Sequence, residues 1–110
     1  MLVLDVEERP LGRVLIVSGD LDVATAPQVR SEVVRLLGDG ISDLVIDLTR
    51  VDFIDSFGLG VLVGALKRVR GAGGHLGLVI TEPRVRKVFE VTGLDRVFEL
   101  TETVDAALER

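Results

Sequence analysis

The chain has 110 residues, 47% of them apolar and 28% charged, with a formal net charge of -5. That is a usual length for one domain with enough apolar material for a core, and both charge signs are scattered along it, which excludes a disordered chain. The acidic balance argues against binding nucleic acid through Lys and Arg and against an anionic membrane surface as partner.

Leu2 to Val6 and Val14 to Ser18 are short runs of Val, Leu and Ile, separated by the turn-like Glu8-Arg9-Pro10-Leu11-Gly12. They read as a β-hairpin or a pair of neighbouring strands. Gly19-Asp20-Leu21-Asp22 ends the second strand. Thr25-Ala26-Pro27-Gln28 then opens a helix, with Thr25 as N-cap, Gln28 as its capping-box partner and Pro27 in the first turn. Val29, Val33, Leu36 and Leu37 form its apolar stripe, and Gly38 and Gly40 stop it.

Leu44 to Leu48 reads as a central strand covered on both faces. A loop from Thr49 to Asp55 leads to a second helix beginning near Ser56, with Leu59, Leu62, Val63 and Leu66 inward. Gly58, Gly60, Gly64 and Ala65 would let that helix approach the sheet closely, at some cost in helix propensity. Gly71, Gly73 and Gly74 end it. Leu76 to Ile80 is the next strand. Thr81-Glu82-Pro83 opens a third helix, with Val85, Val88 and Phe89 inward, and Thr92-Gly93 closes it. Arg96 to Leu100 is a short last strand, and Thr103 to Glu109 a final helix that buries Val104, Ala107 and Leu108. The order β-β-α-β-α-β-α-β-α implies an α/β layer structure with parallel, right-handed crossovers after the opening pair.

Most enzyme chemistries lack their residues. Cysteine is absent, so no disulfide or thiolate chemistry is possible, and His75 is the only histidine, too few for a His-based metal site. Trp and Tyr are absent, which disfavours aromatic platforms for bases or sugars. No phosphate-binding Gly-rich motif is present: Gly71 to Gly74 lacks the Lys-Ser/Thr that would follow. Ser56 does not sit in a nucleophile elbow, because Ile54 stands where Gly is needed although Gly58 follows, and nothing places His75 beside it as a base. Asp22, Asp47, Asp52 and Asp55 raise the idea of a Mg²⁺ site. Against it, they do not cluster at the end of the first strand, and Lys67 and Lys87 both fall within predicted helices. No cofactor or metal is expected. Met1 to Val6 is broken by Asp5, lacks a basic leader and runs into Glu7 and Glu8, and no apolar run approaches the ~20 residues that cross a bilayer, so a cytoplasmic setting is expected.

The informative stretch is Asp52-Phe53-Ile54-Asp55-Ser56-Phe57-Gly58-Leu59-Gly60, a strand handing over to a Gly-rich helix start. Ser56 has two readings. As a helix cap it would contribute about 1 kcal/mol. As a phosphoacceptor it would gain a charge of roughly -1.5 to -2, which a helix N-terminus tolerates and Asp55 resists. Phe57 is either core or an exposed anchor for a partner. Asp22 and Asp55 follow strand ends and so would share one rim of the sheet.

Two segments carry a family resemblance. Gly19-Asp20-Leu21-Asp22 with Thr25-Ala26 resembles the G-E/D-L-D…T-A segment of STAS domains. Asp47-Leu48 through Asp52-Phe53-Ile54-Asp55-Ser56-Phe57-Gly58-Leu59-Gly60-Val61-Leu62 resembles the D-L-S-x-V-x-F-I-D-S-S-G-L-G-V-L block of anti-anti-sigma factors. The resemblance spans essentially the whole chain, so residues 1–110 are read as one STAS domain. It implies a mixed sheet of four to five strands with helices mainly on one face. It also implies a non-enzymatic antagonist that binds an anti-sigma factor serine kinase of the histidine-kinase-like ATPase group while unphosphorylated. The kinase phosphorylates Ser56 and releases it, and a serine phosphatase resets the switch. Asp55, Phe57, Gly58 and Leu59 would frame the site, with Asp22 in the adjacent partner-facing loop. One position departs from the pattern: Phe57 stands where the family usually has Ser or Thr. The alternative is a STAS subunit of a stress-signalling or lipid-transport complex in which Ser56 only caps its helix.

Overall fold

The computed structural model describes residues 1–109; Arg110, the last residue of the expected domain, lies outside the described residues. The elements are β1 (Leu2–Arg9), β2 (Gly12–Leu21), α1 (Ala26–Gly38), β3 (Asp43–Ile54), α2 (Ser56–Gly71), β4 (His75–Val79), α3 (Pro83–Thr92), a 3₁₀ turn (Leu94–Arg96), β5 (Glu99–Thr101) and α4 (Val104–Leu108). The five strands form one sheet in the order β1-β2-β3-β4-β5. β1 and β2 are antiparallel and make the hairpin, with Arg9 opposite Gly12; every later pairing is parallel. The expected α/β order and mixed sheet are what the structure has.

The largest difference from expectation is the length of β3. Residues 49–54, expected as loop, continue the strand. The pairing of β2 with β3 shifts between Ile16 and Ser18 and again between Gly19 and Asp20, each time placing one extra residue on β3. Such bulges turn the strand and change which face the next residue meets. Inward residues therefore run Leu44, Ile46, Leu48 at period two and then Val51 and Ile54 at period three. A strict alternation test fails at Leu48 for that reason.

The main core lies between the sheet and α1, α2 and α3. Leu15, Val17, Ile46, Leu48 and Leu78 from the strands meet Val29, Val33, Leu62, Val69 and Phe89 from the helices. Phe89 packs edge-on to Phe98 at 5.7 Å between ring centres, which closes the α3 side. The opposite face carries a smaller cluster of Val14, Val45, Val79 and Ala107, roofed by α4. β3 is thus covered on both faces over Leu44–Leu48, as expected, and most helices lie on one side.

Several local expectations change. The capping box at Thr25 does not form: the Thr25 hydroxyl turns back into the β2–α1 loop and α1 has no side-chain cap. Gly60 and Gly64 do not face the sheet; Gly58 and Ala65 do. The last strand, expected over Arg96 to Leu100, is only Glu99–Thr101, and Arg96 instead ends the 3₁₀ turn Leu94–Arg96. That turn follows Gly93 in the left-handed region (φ 76°), and Val97 and Phe98 N–H groups donate to Leu94 O, so pairing begins only at Glu99. α4 is shorter than expected and fully buries only Ala107, while Val104 and Leu108 are half-buried. Among the described residues no helix is long and apolar enough to cross a membrane.

Candidate functional site

β2 and β3 run parallel, so the segments leaving Leu21 and Ile54 emerge at the same rim. Asp55 ties them together. Its Oδ1 accepts hydrogen bonds from the N–H groups of Phe57 (2.9 Å) and Gly58 (3.0 Å), which makes Asp55 the N-cap of α2. Its Oδ2 accepts from the Val23 N–H at 3.1 Å, and its own N–H donates to Leu21 O at 3.2 Å. One carboxylate therefore satisfies the start of α2 and pins it to the β2–α1 loop.

Asp22 shapes that loop from the other side. Its Oδ1 accepts from the Ala24 N–H (3.0 Å) and the Thr25 N–H (3.1 Å). The Thr25 hydroxyl accepts from the Asp22 N–H (2.9 Å) and donates to Asp20 O (2.7 Å). The loop is held by its own side chains, an arrangement suited to Asp and Thr because they bond to nearby backbone.

With Asp55 as cap, Ser56 is the first residue of α2 and is exposed. Its hydroxyl makes no hydrogen bond among the described residues. The reading of Ser56 as a helix cap is thereby corrected: the first-turn amides are taken one residue earlier. Phe57 is an exposed side chain (59%) and not core. Gly58 and Leu59 are both buried, so neither offers a partner direct contact. Gly58 has a packing reason: a Cβ there would strike Leu21 O and stand 2.9 Å from Ile54 Cγ1. The absence of that atom is what lets α2 start against the end of β2.

The same rim exposes two further apolar side chains that the sequence reading passed over, Val23 (57%) and Phe53 (53%). Phe53 falls in the segment expected as loop, where periodicity assigns no face. Two arginines were passed over as well. A groove of about 380 Å³ beside Ser56 is lined by Arg30 from α1 and by Phe57, Val61 and Arg68 from α2. The sequence signal was present, since Ser56, Gly60, Gly64 and Arg68 recur every four residues on one helix face.

At the third rim segment Glu82 caps α3. Its carboxylate is held below the usual range by the side chain of Arg84 and then by the Arg84 N–H. His75 lies at the other end of the sheet, where it pairs with Asp43 at the start of β4, and its Nε2 is 3.1 Å from Glu99 Oε2. No base stands beside Ser56 from that source. Among the described residues no three acidic or histidine side chains converge as a metal ion would require.

What the fold and the rim define is a small α/β sheet domain with one exposed serine hydroxyl fixed at a helix start between two stapled loops. The model of the STAS domain family matches residues 3–107. An anti-sigma-B factor antagonist of Listeria monocytogenes is 38% identical over 99 residues, covering 88% of this chain and 86% of that one. A crystal structure of an anti-sigma factor antagonist from Mycobacterium paratuberculosis superposes with a TM-score of 0.89 at 34% identity, covering 98% of this chain and 92% of that one. The fold is shared, with a TM-score of 0.74 at 24% identity, by the Bacillus cell fate determinant SpoIIAA solved in its phosphorylated form, over 98% of both chains. The chain belongs to the STAS domain family.

Proposed function

We propose that this chain is an anti-sigma factor antagonist, a non-enzymatic binding protein of the cytoplasm whose unphosphorylated form captures an anti-sigma factor serine kinase of the histidine-kinase-like ATPase group. The observation that carries the proposal is the free, exposed hydroxyl of Ser56 at the start of α2. The names of the relatives support the kind of partner, and a protein of this fold solved in a phosphorylated form supports the kind of switch.

In the capture state the partner covers the rim. Val23, Phe53 and Phe57 supply exposed apolar contact around Ser56. Asp22 and Asp55 act chiefly by holding the two loops in place, and Gly58 and Leu59 by seating α2 beneath them. In the release step the Ser56 oxygen attacks the γ-phosphorus of ATP bound to the kinase. The bond to the β-γ bridging oxygen breaks, ADP leaves and the hydroxyl proton passes to a base of the kinase. The product carries roughly -1.5 to -2 charge in the middle of the apolar contact, next to the Asp55 carboxylate. Desolvating that charge against an apolar or acidic partner surface opposes binding, so the complex dissolves. A serine phosphatase restores the hydroxyl by transfer of the phosphoryl group to water.

The test is incubation with the kinase and ATP followed by mapping of the phosphate. Label on Ser56 that disappears in Ser56→Ala is the expected result, together with a large loss of kinase affinity in Ser56→Asp. A kinase that binds tightly but leaves Ser56 unlabelled would end this reading.

A further inference from the structure

A phosphate on Ser56 would meet a helix start at which the Phe57 and Gly58 N–H groups are already engaged. Asp55 Oδ1 holds the Phe57 and Gly58 N–H groups, and Oδ2 holds that of Val23. The carboxylate also repels the incoming charge. With the Phe57 and Gly58 amides taken and Asp55 repelling it, the phosphate is drawn toward cations that lack a counter-ion.

The groove between α1 and α2 supplies them. Arg30 and Arg68 line it together with Ser56. Arg9, Arg13, Arg35 and Arg84 are all paired with carboxylates, whereas Arg30 and Arg68 have no such partner among the described residues. The floor of the groove is clear. Arg68 folds back along α2 so that its Nη1 lies 3.3 Å from where a Gly64 Cβ would stand, and nothing comes within 4 Å of the same point on Gly60. Ser56 and Gly64 are about 12 Å apart along the helix axis, so Arg68 is the remoter cation. Arg30 sits one turn into α1, and the loop preceding α1 is tied to Asp55. Helical side chains lean toward the N-terminus, which brings Arg30 toward Ser56.

We propose that Arg30 captures the Ser56 phosphate in cis within the α1–α2 groove, with Arg68 as a second, more distant cation. This rests on Ser56 being the phosphoacceptor. A guanidinium suits the role because its planar donors match phosphate oxygens in pairs. Capture would also fold the phosphate against the flank of α1, so a partner resting on that flank is blocked there as well as at the rim. The phosphatase must then withdraw the phosphate from Arg30, which makes this residue a control on the lifetime of the phosphorylated form.

The experiment uses the full chain with phosphoserine incorporated at position 56 during translation, followed by ³¹P NMR across pH. The charged groups facing the phosphate are Asp55 and Asp22 from the loops, Arg30 from α1 and Arg68 from α2. The second ionisation of the phosphate is expected to lie below its ordinary value of about 6 in the parent. Arg30→Gln should raise it by about half a unit or more, and Arg68→Gln by less. Arg70→Gln, at the far end of α2, should leave it unchanged. Coincident titrations of the parent and Arg30→Gln overturn the proposal, as does an equal rise in Arg70→Gln or a larger one in Arg68→Gln. Arg30 is exposed, and matching amide spectra of each variant establish that the fold is intact. No kinase is needed, so the two ideas fail separately. An unlabelled Ser56 in the kinase assay beside a shifted titration removes the switch and keeps the capture site; a labelled Ser56 beside coincident titrations does the reverse.

Discussion

At the end of the sheet where β2, β3 and β4 finish, carboxylates hold backbone N–H groups; at the end where they begin, charged side chains hold one another. Asp22, Asp55 and Glu82 each cap a loop or helix start at the first end. At the other, Arg9 pairs with Glu7 and with Asp105, Arg13 with Glu8, and His75 with Glu99. Glu7 first and Asp105 second hold Arg9 above its already high ordinary value. The difference matters because a carboxylate bound to backbone fixes the path of the chain, while an exposed ion pair does little more than satisfy itself. Loops fixed in this way can present a hydroxyl that has no structural duty of its own. Both ends also press a glycine against a carbonyl, Gly58 against Leu21 O and Gly74 against Ser42 O.

That last likeness gives the sharpest way to separate the ends. Gly58→Ala and Gly74→Ala should each cost about 1–3 kcal/mol in urea unfolding, since a Cβ at either place meets backbone that cannot swing aside. Only Gly58→Ala should also reduce phosphorylation of Ser56, because only it displaces the start of α2. Equal loss in both variants would break the contrast between a functional and a structural end.

Next in size is Asp55→Ala, expected to lower stability by about 0.5–2 kcal/mol through loss of the cap. Ser56→Ala should stay within about 0.5 kcal/mol of the parent. Denaturant midpoints measured side by side decide it, and a larger cost for Ser56→Ala would return the capping role to the serine. For binding, Phe57→Ala should weaken capture of the kinase about tenfold or more by calorimetry with little change in midpoint. Val97→Ala, an exposed apolar position away from the rim, should leave affinity alone.

The smallest effect concerns acid. The ionisation of Glu82 is depressed by Arg84, so its contribution to stability is fully present above the ordinary carboxylate range and fades as pH falls through the depressed folded value. Glu82→Gln should therefore narrow its gap to the parent on the acid side in urea midpoints taken at successive pH values, and a gap that widens on acidification would contradict the sign.

Much of the site was legible because it is local. Asp55 and Ser56 follow a strand and precede an apolar-striped, glycine-rich helix, and those spacings place a cap and a first helical residue within one position of each other. Which of the two caps was not legible, since both types accept from the same amides. The bulges that carry β3 to Ile54 escaped notice because they replace a period of two with a period of three, and they arise from pairing with β2, distant in sequence. The sequence leaves Phe57 open between core and anchor because the outward turn of one residue at a helix start depends on where the helix docks.

Element order, the hairpin, the parallel crossovers and the position of a serine at a strand-to-helix junction follow from the chain's own periodicities, because apolar spacing and turn chemistry act over a few residues. Tertiary structure alone decided that Asp55 reaches across to Val23, that Gly58 lies under Leu21, and that Arg30 and Arg68 share a groove with Ser56. Val23 lies 32 positions from Asp55, Leu21 37 from Gly58 and Arg30 26 from Ser56, and only the docking of α1 and α2 on the parallel strands brings them within reach.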